Sequence, residues 1–241
     1  MWKATLEPLR AAASLFYPAL CAVCSEPIGY DDYLCPACQE KASRIKPPFC
    51  ATCSEPFQGA ITEAFSCANC AHRLLHFASA VAAYRSRGVV RKILLDFKYG
   101  QQIHLRHPVA EWLIETLDDP RLRGRRFDVV IPVPLHPTRK RERGFNQAEL
   151  LAQILSVKAG LVIQEMLERI RYTTTQTAFD RAERMENLQG AFRLRKKAHV
   201  RGLRVLLIDD VLTTGSTLSE CARVLKAAGA ISVHAATAAR A

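Results

Sequence analysis

The chain has 241 residues, 49% of them hydrophobic and 24% charged, a composition that excludes wholesale disorder and leaves room for one large domain or an ordinary domain with a small attachment. No run of about 18 uncharged apolar residues occurs, so no membrane-spanning helix is expected. Charge is unevenly placed: residues 1–75 hold 6 Lys/Arg against 7 Asp/Glu, whereas residues 76–241 hold 28 against 16, a net +12. A basic excess confined to one part points that part toward an anionic partner, whether a phosphate-rich metabolite, nucleic acid or an acidic surface.

At the N-terminus, residues 5–17 read as a short amphipathic helix rather than an export signal. Lys3, Glu7 and Arg10 interrupt the apolar stretch, Pro18 breaks it again, and Leu20 stands where a small residue should precede cleavage. The expected compartment is cytoplasmic.

Eight of the nine cysteines follow, all in Cys-x-x-Cys pairs: Cys21/Cys24, Cys35/Cys38, Cys50/Cys53 and Cys67/Cys70. Two intervening residues let a tight turn present both sulfurs to one ion, and four pairs supply two tetrahedral four-sulfur sites, the geometry of structural Zn²⁺. Spacing alone leaves open which pairs share an ion. However, Cys21-Ala-Val-Cys24-Ser-Glu-Pro recurs 29 positions later as Cys50-Ala-Thr-Cys53-Ser-Glu-Pro, each copy followed by its own second pair. A repeated unit carrying four ligands most simply closes its own site, so the expected pairing is sequential. An iron–sulfur cluster would use the same thiols, and a disulfide framework would need an oxidising compartment. About 75 residues with few large aliphatics need such a staple to fold. Cys221 stands apart, on the apolar face of a helix with Leu218 and Leu225, and reads as a buried structural thiol.

From residue 78 the pattern becomes alternating strands and helices. Strands are expected at Ala78–Tyr84, Phe127–Val133, Leu161–Ile163, Arg204–Ile208 and Ser232–Ala238. Helices are expected at Val89–Phe97, Pro108–Leu117, Asn146–Lys158 and about Ser216–Ala228, with an uneven charged stretch over 165–190. Such alternation implies an α/β domain with a mostly parallel sheet and helices on both faces, whose ligands sit outside the carboxyl ends of the strands. The expected domains are 1–75, an N-terminal helix with the cysteine pairs, and 76–241, the α/β part.

One segment carries the sharpest signal: Val205-Leu-Leu-Ile-Asp209-Asp210-Val211-Leu212-Thr213-Thr214-Gly215-Ser216-Thr217. Apolar residues form a buried strand, two carboxylates emerge at its end, and a hydroxyl-rich turn opens onto a helix. Free N–H groups at a helix N-terminus favour a phosphate dianion, Gly215 allows close backbone approach, and adjacent acids suit vicinal ribose hydroxyls. The plain alternative is a helix cap after two solvated acids. No Gly-Lys-Thr arrangement follows, so this is not a nucleoside-triphosphate P-loop.

These thirteen residues resemble the 5-phosphoribosyl-1-diphosphate (PRPP) signature of type I phosphoribosyltransferases. With the cysteine pairs upstream, almost the whole chain resembles the ComF family (competence protein F, or GntX-like), including Ile131-Pro-Val-Pro134, Arg143-Gly-Phe-Asn-Gln-Ala148 and the series from Arg171 through Gln176 to Phe192. The resemblance implies a type I phosphoribosyltransferase-like domain after a small double zinc ribbon. It implies that Asp209 and Asp210 hold the ribose hydroxyls, that Thr213 to Thr217 hold the 5-phosphate, and that Val211 and Leu212 also belong to the PRPP site. It also makes Pro134–Arg143 a stiff pyrophosphate loop, with Leu135 and His136 lining it and Arg139 and Arg143 as contacts, and makes the stretch from Arg171 a covering lid.

The enzymatic expectation is Mg²⁺-dependent phosphoribosyl transfer from PRPP to a nitrogen nucleophile, the Mg²⁺ being carried chiefly by substrate oxygens. Arg139, Arg143 and Arg171 would offset charge building on the diphosphate. No general base stands out, and His136 is only a weak candidate. A second expectation, also implied by the resemblance, is handling of single-stranded DNA with DNA-uptake proteins, although a row of aromatics interleaved with cations is lacking. A third is a PRPP or nucleotide sensor without turnover. Acceptor specificity is expected from residues 85–107, where Lys98, Tyr99 and His104 are the candidates to face the site.

Overall fold

The run Val205-Leu-Leu-Ile208 offers solvent no polar face, so its strand must be covered on both sides, and the architecture follows from that demand. The structure, a computed structural model, describes residues 18–57, 59, 65–172 and 188–241. Two ribbons come first, containing the short helices α1 (Pro36–Glu40) and α2 (Ala68–Ala71). Then follow β1 (Ala80–Arg85), α3 (Gly88–Tyr99), α4 (Arg106–Ile114), β2 (Val129–Pro132), α5 (Pro137–Arg143) and α6 (Gln147–Ala159). The chain finishes with β3 (Leu167–Arg169), β4 (Phe192–Leu194), β5 (Arg204–Leu212), α7 (Ser216–Ala227) and β6 (Ser232–Arg240).

The main sheet has the order β1-β6-β5-β2 with every pairing parallel. Ile163 adds one parallel bridge outside β2, the remnant of the strand expected at 161–163. Parallel neighbours need crossovers, and the helices supply them on both faces. Leu206 and Ile208 face the layer of α3, α4 and α6, with Ile93, Phe97, Leu113, Leu151 and Leu155. Val205 and Leu207 face α7, with Leu218, Cys221, Ala222 and Leu225. Cys221 is fully buried, as expected of a structural thiol.

The ribbons divide between these layers. Cys21, Leu34, Cys35 and Cys38 join the α3–α4–α6 core, and Cys50, Cys53 and Cys70 join the α7 core. The segment joining them runs along the open edge of β1. Ile45 N–H bonds Ala83 O at 2.8 Å, Arg85 N–H bonds Ser43 O at 2.7 Å, and Ala80 N–H bonds Thr52 O at 2.8 Å. The Ser54 hydroxyl, fully buried, donates to Ala80 O and accepts from Ala82 N–H.

Three elements depart from the sequence reading. β5 does not stop at Ile208: register with β6 continues through Asp209↔Thr237 to Leu212↔Arg240, so the acids lie within the strand. Part of the loop expected at Pro134–Arg143 is helix α5, because Pro137 at its first position presets φ and Gly144 ends it in the left-handed region at φ 80°. The charged stretch contains β3, which pairs antiparallel with β4 just beyond it, both too short for periodicity to reveal. The helix expected at 5–17, and lid residues 173–187, lie outside the described residues. No helix among the described residues is long and apolar enough to cross a membrane.

Candidate functional site

Each cysteine pair folds by the same local rule. Ser25 N–H bonds Cys21 O at 2.9 Å and Ser54 N–H bonds Cys50 O at 3.0 Å, with both serines in the left-handed region at φ 63° and 59°. The second pairs start α1 and α2, where Cys38 N–H returns to Cys35 O and Cys70 N–H to Cys67 O. The repeat seen in sequence is thus a repeat of backbone turns. Four Sγ atoms gather from Cys21, Cys24, Cys35 and Cys38, and four from Cys50, Cys53, Cys67 and Cys70, each set lying within 4.8 Å of one another. The Cys24–Cys35 and Cys53–Cys67 separations are both 3.6 Å. A tetrahedron with Zn–S bonds of about 2.3 Å has sulfur edges of about 3.8 Å, so both sets fit Zn²⁺ in sequential pairing. Four thiolates leave no open coordination position, which makes the sites structural.

The second site stands at the tip of β5. Strand geometry alternates side chains, so the two acids diverge. Asp210 is buried and its Oδ2 lies 2.8 Å from Lys98 Nζ of α3. Asp209 Oδ1 accepts the Asp210 N–H at 2.9 Å. Burial, then the neighbouring Asp210 charge, pushes the Asp209 carboxyl up to about 7, with Lys98 pulling the other way. The Cys221 thiol is raised well above its usual range, by burial first and then by the Asp209 charge.

Beyond Leu212 the chain turns through exposed Thr213 and half-buried Thr214 to Gly215, whose φ of 79° favours glycine. Gly215 caps α7 without a side chain, leaving first-turn donors unpaired. Among the described residues, no chain acceptor takes the N–H groups of Thr213, Thr214, Gly215 or Thr217. The Ser216 N–H has only a long 3.4 Å contact to Thr214 Oγ1. Amides unclaimed by the chain at a helix N-terminus can bind an anion, although here Thr217 is half-buried and Gly215 and Ser216 are buried.

The third group lies after β2. Asn146 caps α6 through Ala148 N–H at 3.1 Å, and its amide reaches back to Val133 O at 3.1 Å, fixing where the strand ends. Half-buried Leu135 precedes His136, whose Nδ1 accepts Thr138 N–H at 3.3 Å. Arg143 donates to Gln147 Oε1 and to Tyr99 Oη at 3.0 and 3.1 Å and sits over the Tyr99 ring. Arg139 sits 5.7 Å from the Tyr172 ring centre, and His136 meets the same ring edge-on at 5.1 Å. Arg171 donates to Gln189 O at 2.8 Å.

The fold therefore joins Asp210 to Lys98, and Arg143 to Tyr99, while His104 stacks with Tyr33 of the first ribbon at 6.2 Å. Three participants escaped the sequence reading. Arg169 on β3 has its basicity lowered by burial, then by the Arg139 charge, while the Asp209 charge acts the other way. Asn69 and Arg73 of the second ribbon both donate to Thr214 O, at 3.3 and 2.9 Å. Within the sequence, only their place beside Cys67 and Cys70 set these two apart.

Comparison with known proteins bears on this arrangement. Residues 12–76 match the model of a double zinc ribbon domain, and residues 109–241 match that of a phosphoribosyl transferase domain. DNA utilization protein YhgH of Salmonella typhimurium is 30% identical over 228 residues, covering 93% of this chain and 92% of that protein. The chain belongs to the ComF family. Competence protein F of Haemophilus influenzae is 35% identical over 141 residues, 57% of this ComF-family chain, and the match spans 62% of that relative's length. Among solved structures, adenine phosphoribosyltransferase from Thermoanaerobacter pseudethanolicus is similar over 61% of this chain and 71% of its own, at 18% identity and a TM-score of 0.36.

Proposed function

We propose that this ComF-family chain binds PRPP, with Mg²⁺ carried on the substrate's oxygens, and transfers the phosphoribosyl group to an acceptor with release of diphosphate. The observation that carries the reading is the turn after β5, beside two acids, where the N–H groups of Thr213, Thr214, Gly215 and Thr217 have no chain acceptor among the described residues. In this reading Thr213 to Thr217 receive the 5-phosphate with Val211 and Leu212 beside them, and Asp209 and Asp210 accept from the ribose hydroxyls. Leu135, His136, Arg139 and Arg143 flank the diphosphate, and Arg171 belongs to the covering segment. Mg²⁺ supplies charge neutralisation on the diphosphate. The arginines stabilise charge as the C1–O bond breaks, and a cover keeps water from the oxocarbenium-like centre. The division at residues 75/76, with the ribbons as scaffold, and a cytoplasmic placement where thiols stay reduced belong to the same reading.

The test is calorimetric titration with PRPP and Mg²⁺ of the wild type and of the Asp209→Asn/Asp210→Asn double variant. Binding by the wild type, lost in the variant with both zinc ions retained, supports the reading; no binding by the wild type ends it. Diphosphate release across nucleobases, ammonia and amines then separates an enzyme from a sensor.

A second reading rests on the +12 balance of residues 76–241 and on the names of the relatives, DNA utilization protein and competence protein. Here the basic part contacts single-stranded DNA or DNA-uptake proteins. Phosphate contacts predict steeply salt-dependent affinity for labelled single strands. A dependence on added PRPP distinguishes a linked role from generic attraction.

A further inference from the structure

The second ribbon does more than pack against the α7 layer. Arg73 Nη1 donates to Thr214 O at 2.9 Å, Arg73 Nη2 donates to Ser216 Oγ at 3.0 Å, and Asn69 Nδ2 adds a bond to Thr214 O at 3.3 Å. Asn69 Oδ1 in turn accepts from Arg73 at 2.8 Å, so the two side chains brace one another. Just downstream, His76 N–H donates to Ser219 Oγ at 3.1 Å, and the Phe77 ring lies 3.4 Å from where a side chain on Gly215 would begin.

These contacts fix a peptide plane. In a trans peptide the carbonyl and the following N–H point in opposite directions. Pinning Thr214 O toward the ribbon therefore turns the Gly215 N–H, a donor with no chain acceptor among the described residues, away from the ribbon. Glycine at φ 79° has little intrinsic preference to hold that orientation, so an external clamp is needed. The clamp is anchored by metal ligands: Asn69 lies between Cys67 and Cys70, and Arg73 is three residues beyond Cys70.

We propose that Arg73, braced by Asn69, is a positioning residue that presets the phosphate-binding turn, and that it couples zinc in the second ribbon to phosphate binding at Thr213–Thr217. This rests on the phosphate assignment made above. Zinc holds the knuckle, the knuckle holds Thr214 O, and the carbonyl orients the amide. By linkage, a phosphoester on the turn must tighten zinc in the second ribbon by the factor by which that zinc tightens the phosphoester. The first ribbon, built on the opposite face of the sheet, has no such share.

Ribose 5-phosphate, which needs the turn but carries no diphosphate, is the probe. Its affinity is measured by calorimetry for the full-length wild type, Arg73→Ala, Arg73→Lys and Asn69→Ala, each checked for two zinc ions per chain. Arg73→Ala is expected to lose about 5- to 150-fold in affinity, the usual range of coupling between sites. Arg73→Lys, which keeps one donor for the carbonyl, is expected to recover part of the loss, and Asn69→Ala to lose less than Arg73→Ala. In the wild type, ribose 5-phosphate is expected to protect one of the two zinc ions from a competing chelator. That second arm decides the matter if Arg73→Ala fails to fold. Wild-type affinity in a zinc-loaded Arg73→Ala, or equal protection of both ions or of neither, overturns the coupling while leaving the phosphate site intact. A wild type that binds no ribose 5-phosphate overturns the phosphate assignment itself, and the coupling with it.

Discussion

Lys98 Nζ lies 2.8 Å from Asp210 Oδ2, with the two side chains only 19% and 9% exposed. Removing one partner of such a pair strands the other charge in a poorly solvated place. Lys98→Ala is therefore expected to destabilise the fold by about 2–3 kcal/mol, somewhat below the ~3–5 kcal/mol of fully buried pairs. Adding Asp210→Asn should recover part of the loss. Urea unfolding of the two single variants and the double variant checks this, and simple additivity would refute it.

The pH dependence of stability reports on Asp209. Its carboxyl is pushed up to about 7, by burial first and by Asp210 next. The unfolded chain releases that proton near pH ~3.9, so the folded state binds more protons than the unfolded state between the two values. Stability contributed at this position is full below about pH 4, falls as pH rises to about 7, and stays lowered above it. Asp209→Asn carries no such slope. Calorimetric melting should show the variant gaining on the wild type from pH 5 to pH 8, and a gap that is independent of pH would contradict the assignment.

Thiol reactivity separates the nine cysteines. Cys221 is fully buried with its thiolate disfavoured, and the other eight are grouped as zinc ligands. With zinc loaded, a colorimetric disulfide reagent should find almost no fast thiol. A strong chelator should release eight, and denaturant the ninth. A fast-reacting thiol that survives in a Cys221→Ser variant with zinc bound would show a ribbon that does not hold its metal.

Asn146 is 2% exposed and links the end of β2 to the start of α6. Asn146→Ala removes a helix cap, typically worth about 1 kcal/mol, and strips Val133 O of its side-chain donor. A total loss of about 2 kcal/mol is expected by chemical denaturation. Asn146→Asp should keep the cap but not the bond to Val133 O, and fall between.

The sequence made some parts of this arrangement legible because their causes are local. Cysteine spacing and a repeated heptapeptide defined the ribbons, since a metal knuckle is made within a few residues. The buried run at 205–208 and the Thr-Thr-Gly-Ser turn were equally self-contained, as was the helix expected at Asn146–Lys158. What escaped depended on distant partners. β5 runs past Ile208 only because β6 continues beside it, and β3–β4 exists only as a pair. Pro137 marks a helix start rather than a stiffened loop, a choice settled by Gly144 downstream. Arg73 and Asn69 looked like ordinary polar residues near a cysteine pair, because nothing local signals a carbonyl 141 positions away. The stacking of His104 on Tyr33 of the first ribbon likewise depends on a partner distant in sequence.

The backbone bonds from Ser43, Ile45 and Thr52 to β1 have a consequence for behaviour in crowded solution. A bare outer strand is a template onto which a neighbouring molecule can add its own. Loss of the ions that shape the ribbons would uncover that row of donors and acceptors, so metal-starved molecules should self-associate strand to strand before the rest of the domain melts. Metal supply would then set the solubility of the protein as much as its folding.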